Sequence, residues 1–463
     1  MYRKKNPEEI EFQDFYQPFG GKMNADNRWI RMAGIVPWDV LEEKYARHFK
    51  ALGRSAKKVR IAIGALLIQQ RFGFTDEETV EQIIENPYLQ YFIGLPEYQG
   101  KKPFDSSMMV YFRKRVTPEM LEEANRALAA EKAREKDKDD GNGGAGSNSG
   151  KLIVDATCVP SDIKYPTDLN LLAEAREKLE GMIDVVYEGE RKPRTYRWNA
   201  RRDYLRAAKN RRLSLKMLKK ALRKQLSYVK RDMNYLGDKE LDQLSDKERK
   251  DLETIKKLYG QQKEMFDNGT HSVSNRIVSL SQPHIRPIVR GKAGAEVEFG
   301  AKVTISLVNG FAFIDRIDWE NFNEGTVLKY QIEAYRERFR VYPAEVLADK
   351  IYRTRENREY CKQRGIRLSG PPLGRPSVDE EERLRQKVQE RKDISVRNAV
   401  EGEYGTGKRK YSLGLLMTKL PETSVAVIGL NFFLMNLEKK LRLLLRRFFM
   451  RLFFGVFANL SCA

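Results

Sequence analysis

The sequence predicts an α+β/α/β fold, a mixed sheet flanked by helices, with a large helical insertion after the first strand and a separate all-helical region ahead of it. Three observations carry this. Apolar residues recur at helical spacing from about residue 38 to 134. A short apolar run at 151–154 then reads as a buried strand. Alternation in steps of two appears only later, at 297–307 and 311–319. The 463 residues also exceed the roughly 250–300 over which one hydrophobic core usually extends, so more than one domain is expected.

Residues 1–135 are expected to form the helical domain. Val59, Ile61, Ile63, Leu66, Leu67 and Ile68 mark an apolar helix ending near Gly73, and Thr75 with Glu78 spells a capping box for the next. Two further helices are expected at 105–115 and 118–131, the second with Thr117 as cap and Pro118 in its first position. The stretch SSMMVYFRKRV suits a groove of DNA, or equally a core helix with a solvated basic face. Residues 136–150, KDKDDGNGGAGSNSG, hold almost nothing apolar and read as a flexible linker to a domain at 151–463.

That domain opens with KLIVDATCVPSD, where Asp155 is expected at the end of a short strand, the place where open sheets keep their chemistry. An insertion at about 161–281 follows. Leu172, Ala175, Leu179, Met182 and Val186 track one face of its first helix. From Arg191 to Lys224 there are fifteen Lys or Arg and one acid, Asp203, with Tyr196, Trp198 and Tyr204 interleaved. This mixture neutralises phosphates and stacks on unpaired bases, with Arg201, Arg202, Arg211 and Arg212 as the DNA-binding candidates; a solvated helix face is the alternative. Residues 239–259 read as an exposed helix laced with ion pairs. Asn309-Gly310 joins two antiparallel strands. A helix at 326–339, a strand at 344–348 that delivers Asp349, a strand at 366–368 and a late helix carrying Glu401 complete the set, and an amphipathic helix at 425–460 closes the core. Strand, hairpin, helix, strand and late helix is the order of a ribonuclease-H-like sheet, once 161–281 is set aside.

Composition narrows the function. Eighty-six Lys and Arg against 65 Asp and Glu give a formal charge of +21, which points to a polyanion and most simply to nucleic acid. Three widely spaced cysteines (Cys158, Cys361, Cys462) argue against a zinc site or a disulfide framework and fit a reducing cytoplasm. With only His48, His271 and His284 present, imidazole-bound metal and Ser-His-Asp chemistry are disfavoured. The first residues, MYRKKNPEEIEF, lack a signal-peptide core and no run reaches the 18 or so apolar residues of a membrane span, so no membrane is expected.

The blocks IAIGALLIQQRFGFTDEETVEQIIENPYLQYFIGL, FDSSMMVYFRKRV, IVDAT, RIVSLSQPHIRPIVRGKAGAEVEFGAKV, VLADKIYRTREN with RGIRLSGPPLGRP, and VRNAVEGEYGTGKRKYSLG occur in that order. Together they resemble bacterial DDE transposases of the insertion sequence 5 group. Related enzymes carry Tyr, two residues, Arg, three residues, Glu, six residues, Lys; here Arg397, Glu401 and Lys408 keep that spacing, while Ile394 replaces the tyrosine. The resemblance implies Asp155, Asp349 and Glu401 as catalytic metal ligands for Mg2+, with Mn2+ as a substitute. Arg397 and Lys408 flank Glu401 as phosphate-binding cations, the basic run Lys408-Arg409-Lys410 reads as a DNA backbone contact and Arg353 as a further DNA-binding candidate; the resemblance implies a transposon end and a target duplex as partners. A homodimer that brings two ends together is expected, in the cytoplasm at the nucleoid. Carboxylates on two strand ends and a facing helix can hold two such ions about 3.5–4 Å apart, which suits phosphodiester cleavage and joining without a covalent protein intermediate. A nuclease of the same fold that never joins strands, and a DNA-binding protein with a vestigial site, remain as alternatives. Glu403, Asp162 and Asp315 are rival carboxylates, and Gly405 and Gly407 lack the spacing of a phosphate loop.

Overall fold

The computed structural model describes residues 2, 4, 21–50, 55–139, 148–189, 191–210, 212–237, 241–292, 295–371 and 379–460. The chain divides into two compact units. One comprises Met1–Val159, Lys302–Ile317 and Phe322–Ala463, and the other Pro160–Ala301 and Asp318–Asn321.

The first unit begins with seven helices: α1 (Arg28–Ile35), α2 (Trp38–Ala46), α3 (Val59–Phe72), α4 (Asp76–Glu85), α5 (Pro87–Phe92), α6 (Met108–Lys114) and α7 (Pro118–Asp139). Local chemistry sets their ends. Gly73 closes α3 at φ 72°, a left-handed position. Thr75 and Glu78 form the expected capping box of α4. Helix α7 runs to Asp139, into the segment expected as linker, while residues 140–147 of that segment lie outside the described residues.

The sheet of this unit contains β1 (Lys151–Pro160), parts of β3 (Ala295–Val308) and β4 (Phe311–Asp318), β5 (Glu345–Leu347) and β6 (Arg367–Leu368). Its order is β3-β1-β5-β6, with β4 pairing β3; β1, β5 and β6 are parallel. The turn between β3 and β4 is the expected Asn-Gly type, Asn309 at φ 51° and Gly310 at φ 80°. Helices α12 (Leu328–Phe339), α13 (Arg355–Gln363), α14 (Glu380–Lys410) and α15 (Pro421–Leu460) complete the unit; the numbers α8 to α11 and β2 belong to the second.

The helical region does not stand apart from the sheet, as residues 1–135 were expected to. Helix α15 is the reason: Ile428, Leu430, Phe432, Phe433, Leu434 and Leu437 are fully buried, and it packs against α1, α3, α6 and α7 as well as α14. Asn436 on α15 donates to Asn125 of α7 (2.8 Å) and to the Ala312 carbonyl of β4 (2.7 Å), and accepts from the Ala312 N–H (2.9 Å). A single buried amide therefore ties three elements together. Beside it, Arg338 of α12 bridges Glu122 of α7 (2.7 Å) and the fully buried Asp315 of β4 (3.2 Å).

The second unit is largely the expected insertion. Helices α8 (Asp168–Val186), α9 (Arg197–Ala208), α10 (Leu215–Gly237) and α11 (Asp246–Asn268) surround a core of Leu172, Leu179, Ile183, Val229, Ile255 and Leu258. Thr167 caps α8, and the box Ser245/Glu248 starts α11 later than the 239 expected. The unit also holds β2 (Arg286–Lys292), a strand that the sequence reading did not foresee, antiparallel to the first half of β3. Cys158 and Cys361 are buried free thiols, whereas Cys462 lies outside the described residues. Among the described residues no helix is long and apolar enough to cross a membrane.

Candidate active site

Strand β1 is longer than its apolar start suggested. Ala156, Thr157, Cys158 and Val159 continue it, so Asp155 sits in mid-strand rather than at the end. Pairing with β5 stops earlier, at Ile153↔Leu347, and every pair in it is offset by 194 residues: Lys151↔Glu345, Leu152↔Val346, Ile153↔Leu347. Carried two residues further, the same offset sets Asp155 level with Asp349. Asp349 itself lies two residues past the end of β5, just beyond this pairing, and its charge acts on Asp155.

Their environments differ. Burial pushes the Asp155 carboxyl up to about 6, the Ala156 N–H opposes this, and the charges of Glu324 and Asp349 add to it against Arg397. Asp349 is more open, its side chain 57% exposed. One of its oxygens accepts from the Lys350 N–H (2.7 Å), capping the turn Lys350–Tyr352, and also pairs with Arg397 (2.8 Å). Partial burial would raise this carboxyl, but those two donors hold it below the usual range.

Helix α14 lies over the pair. Arg397 reaches Asp349, and two turns on the Tyr404 hydroxyl donates to the Asp155 carbonyl (2.8 Å). At about 100° per residue, Arg397, Glu401, Tyr404 and Lys408 fall within an arc of roughly 60°. Glu401 thus shares the face that touches both aspartates, though its side chain is exposed. Glu403 points elsewhere: it is half-buried near Lys439 and Arg442 of α15, and burial raises its carboxyl. Asp315 is bound into the Arg338 network, and Asp162 is exposed in the second unit. Among the described residues no three His, Cys, Asp or Glu side chains stand close enough to grip one metal ion.

Three contributors were missed by sequence reading. Glu324 acts on Asp155 more strongly than any other charge, Tyr352 is fully buried behind Asp349, and Tyr404 anchors α14 to β1. Tyr404 was detectable, since it stands one helical turn after Glu401. Glu324, in an Asn-capped turn before α12, carries no periodic signal.

The expected DNA-binding residues divide. Arg409 and Lys410 are exposed at the end of α14, and Lys408 is half-buried. Arg353 gives its guanidinium to the carbonyls of Ser369 and Pro371, so its donors serve the chain itself. Gly370, at φ 106°, leaves the room: a Cβ there would stand 2.5 Å from the Arg353 guanidinium. In the second unit Arg201, Arg202 and Arg212 are exposed; Arg211 lies outside the described residues. Arg197 is held by Asp184 (2.7 Å), which fixes α9 on α8 and turns Arg201, Arg202, Arg206 and Lys209 to solvent. They line an open groove of about 920 Å³ beside Trp198, which is 88% exposed.

Two family profiles match the chain. Residues 346–438 match a family described as Transposase DDE domain, and residues 18–115 match one described as Transposase domain (DUF772). The first match takes in Asp349, Arg397, Glu401 and Lys408 and begins after Asp155. A protein of Rhizobium meliloti described as uncharacterized protein ORF8 in nfe locus is 32% identical over 157 residues, which is 34% of this chain and 73% of that protein. No solved structure matches the chain.

Proposed function

This chain belongs to the bacterial DDE transposases, and we propose that, as a member of the insertion sequence 5 group, it cleaves strands at transposon ends and transfers the freed 3′-hydroxyl into target DNA. The observation that carries this reading is that one face of α14 holds both segments, Arg397 pairing with Asp349 just past β5 and Tyr404 bonding the Asp155 carbonyl of the parallel neighbour β1, with Glu401 on that same helix face.

The donor set fits a hard divalent cation. Carboxylate oxygens on adjacent strands suit Mg2+ or Mn2+, which are commonly held by one or two carboxylates and keep several of their waters. Asp155 and Asp349 would hold the metal first, and Glu401 would complete the set once DNA phosphate competes with Asp349 for Arg397. Bound metal would activate the attacking oxygen and stabilise the departing one. The protein's own part is positional. Tyr404 fixes α14 against β1, Arg397 and Lys408 meet the scissile phosphates from the same helix face, and none of these groups forms a bond to DNA. The basic surface of α9 and α10 adds affinity for the duplex, and a dimer brings two ends together.

The test uses a pre-cut transposon end and a supercoiled target with Mg2+. Asp155→Asn, Asp349→Asn and Glu401→Gln should each abolish joining while leaving DNA binding within about twofold. A wild-type protein that nicks the ends but never joins a pre-cut one would leave only the nuclease activity standing.

A further inference from the structure

We infer that Glu324 is a positioning residue of the Asp155–Asp349 site, accepting hydrogen bonds from the water shell of the divalent ion held there. This rests on reading those two aspartates as the metal site.

Two short turns, Glu324–Val327 and Lys350–Tyr352, are locked face to face. Gly325 lies against the Ile351 carbonyl so closely that a Cβ would come within 2.6 Å of its oxygen. The buried Asn357 amide donates both to the Gly325 carbonyl (2.7 Å) and to the Tyr352 carbonyl (2.8 Å). Asn323 caps the first turn, as Asp349 caps the second. The clamp sets Glu324, at the head of one turn, beside the turn that Asp349 heads. Lys302 of β3, the strand next to β1, pairs with Glu324 from the other side at 3.0 Å.

One buried group of the second turn has no partner. The Tyr352 hydroxyl is fully buried and makes no hydrogen bond, and the first charges to act on it are Glu324 and Asp155. A buried hydroxyl left unbonded is costly, which marks the junction of the two turns as polar and unsatisfied. Glu324 is already paired with Lys302, which leaves it suited to accept from water rather than to enter the ion's own shell. Magnesium, which holds on to its waters, suits two aspartates inside and a third carboxylate outside its shell.

Mn2+ titration of the full-length protein without DNA, followed by the electron paramagnetic resonance of free Mn2+, tests this apart from activity. Glu324→Gln should weaken Mn2+ binding by about 10- to 100-fold, the usual loss for an outer-shell partner, with little change in the metal-free melting temperature. Asp155→Asn should remove saturable binding altogether. Wild-type affinity in Glu324→Gln, with binding lost in Asp155→Asn, would overturn the inference alone. Wild-type affinity in Asp155→Asn would instead overturn the site itself. If Glu324→Gln fails to fold because Lys302 is left unpaired, Lys302→Met/Glu324→Gln must show the same loss, and full affinity in that double variant counts against the inference.

Discussion

Burial and like charge act together on Asp155, and the sign of their effect on stability is fixed. A carboxyl raised from 3.8 to about 6 on folding favours the native state only while protonated. The ionised form therefore costs stability: nothing below pH 4, increasingly through pH 4–6, and fully above. With metal removed, Asp155→Asn should be more stable than wild type by about 3 kcal/mol at pH 8, a gap that closes by pH 4 in urea unfolding. Saturating Mg2+ should remove the advantage of the variant, because only the wild type gains from the ion. Arg338 is the opposite case. It neutralises the fully buried Asp315, so Arg338→Met leaves an uncompensated charge and should cost about 3–5 kcal/mol by the same measurement.

At the scale of the element, α14 makes the sharpest claim. Its register puts Glu401 on the face shared by Arg397 and Tyr404, and Glu403 near Lys439 and Arg442. Glu401→Gln should lose strand transfer by at least about a thousandfold, whereas Glu403→Gln should keep rates near wild type; the reverse result would mean a helix rotated from the one described. Much of this layout was readable beforehand. The Asn309-Gly310 hairpin, the Thr75 box and the 151, 345 and 367 strands all have local signals, because turn chemistry and β-branched runs act over a few residues. What escaped was decided by distant partners. Strand β1 runs past Asp155 because its small residues find a neighbour in β3, and β2 forms because the first half of β3 needs one. Glu324 gained its place through the Asn357–Gly325 clamp and its pair with Lys302, contacts between segments some twenty to thirty residues apart that no periodicity announces.

For the molecule as a whole, charge and burial separate by unit. The exposed cations of α9 belong to the second unit, and the carboxylate pair belongs to the first. Replacing Arg201, Arg202, Arg206 and Lys209 by Ala should lower the slope of log K against log salt by about 3 to 4 if all four meet phosphates. Strand transfer from saturated DNA should survive that change. An unaltered slope would mean that these side chains never touch the duplex. The buried spine of the first unit has another consequence. Asn436 meets Asn125 across 311 residues, so a growing chain presents α7 long before α15 exists to cover it. At 5–20 residues per second that interval lasts roughly 15 to 60 s. Throughout it the faces of α3 and α7 that α15 covers lack that partner, although α2 already packs against both, which makes the nascent chain a client for chaperones and a target for proteases. Any message cut short before α15 yields a chain in which the faces of α1, α3, α6 and α7 that this helix covers stay open to water.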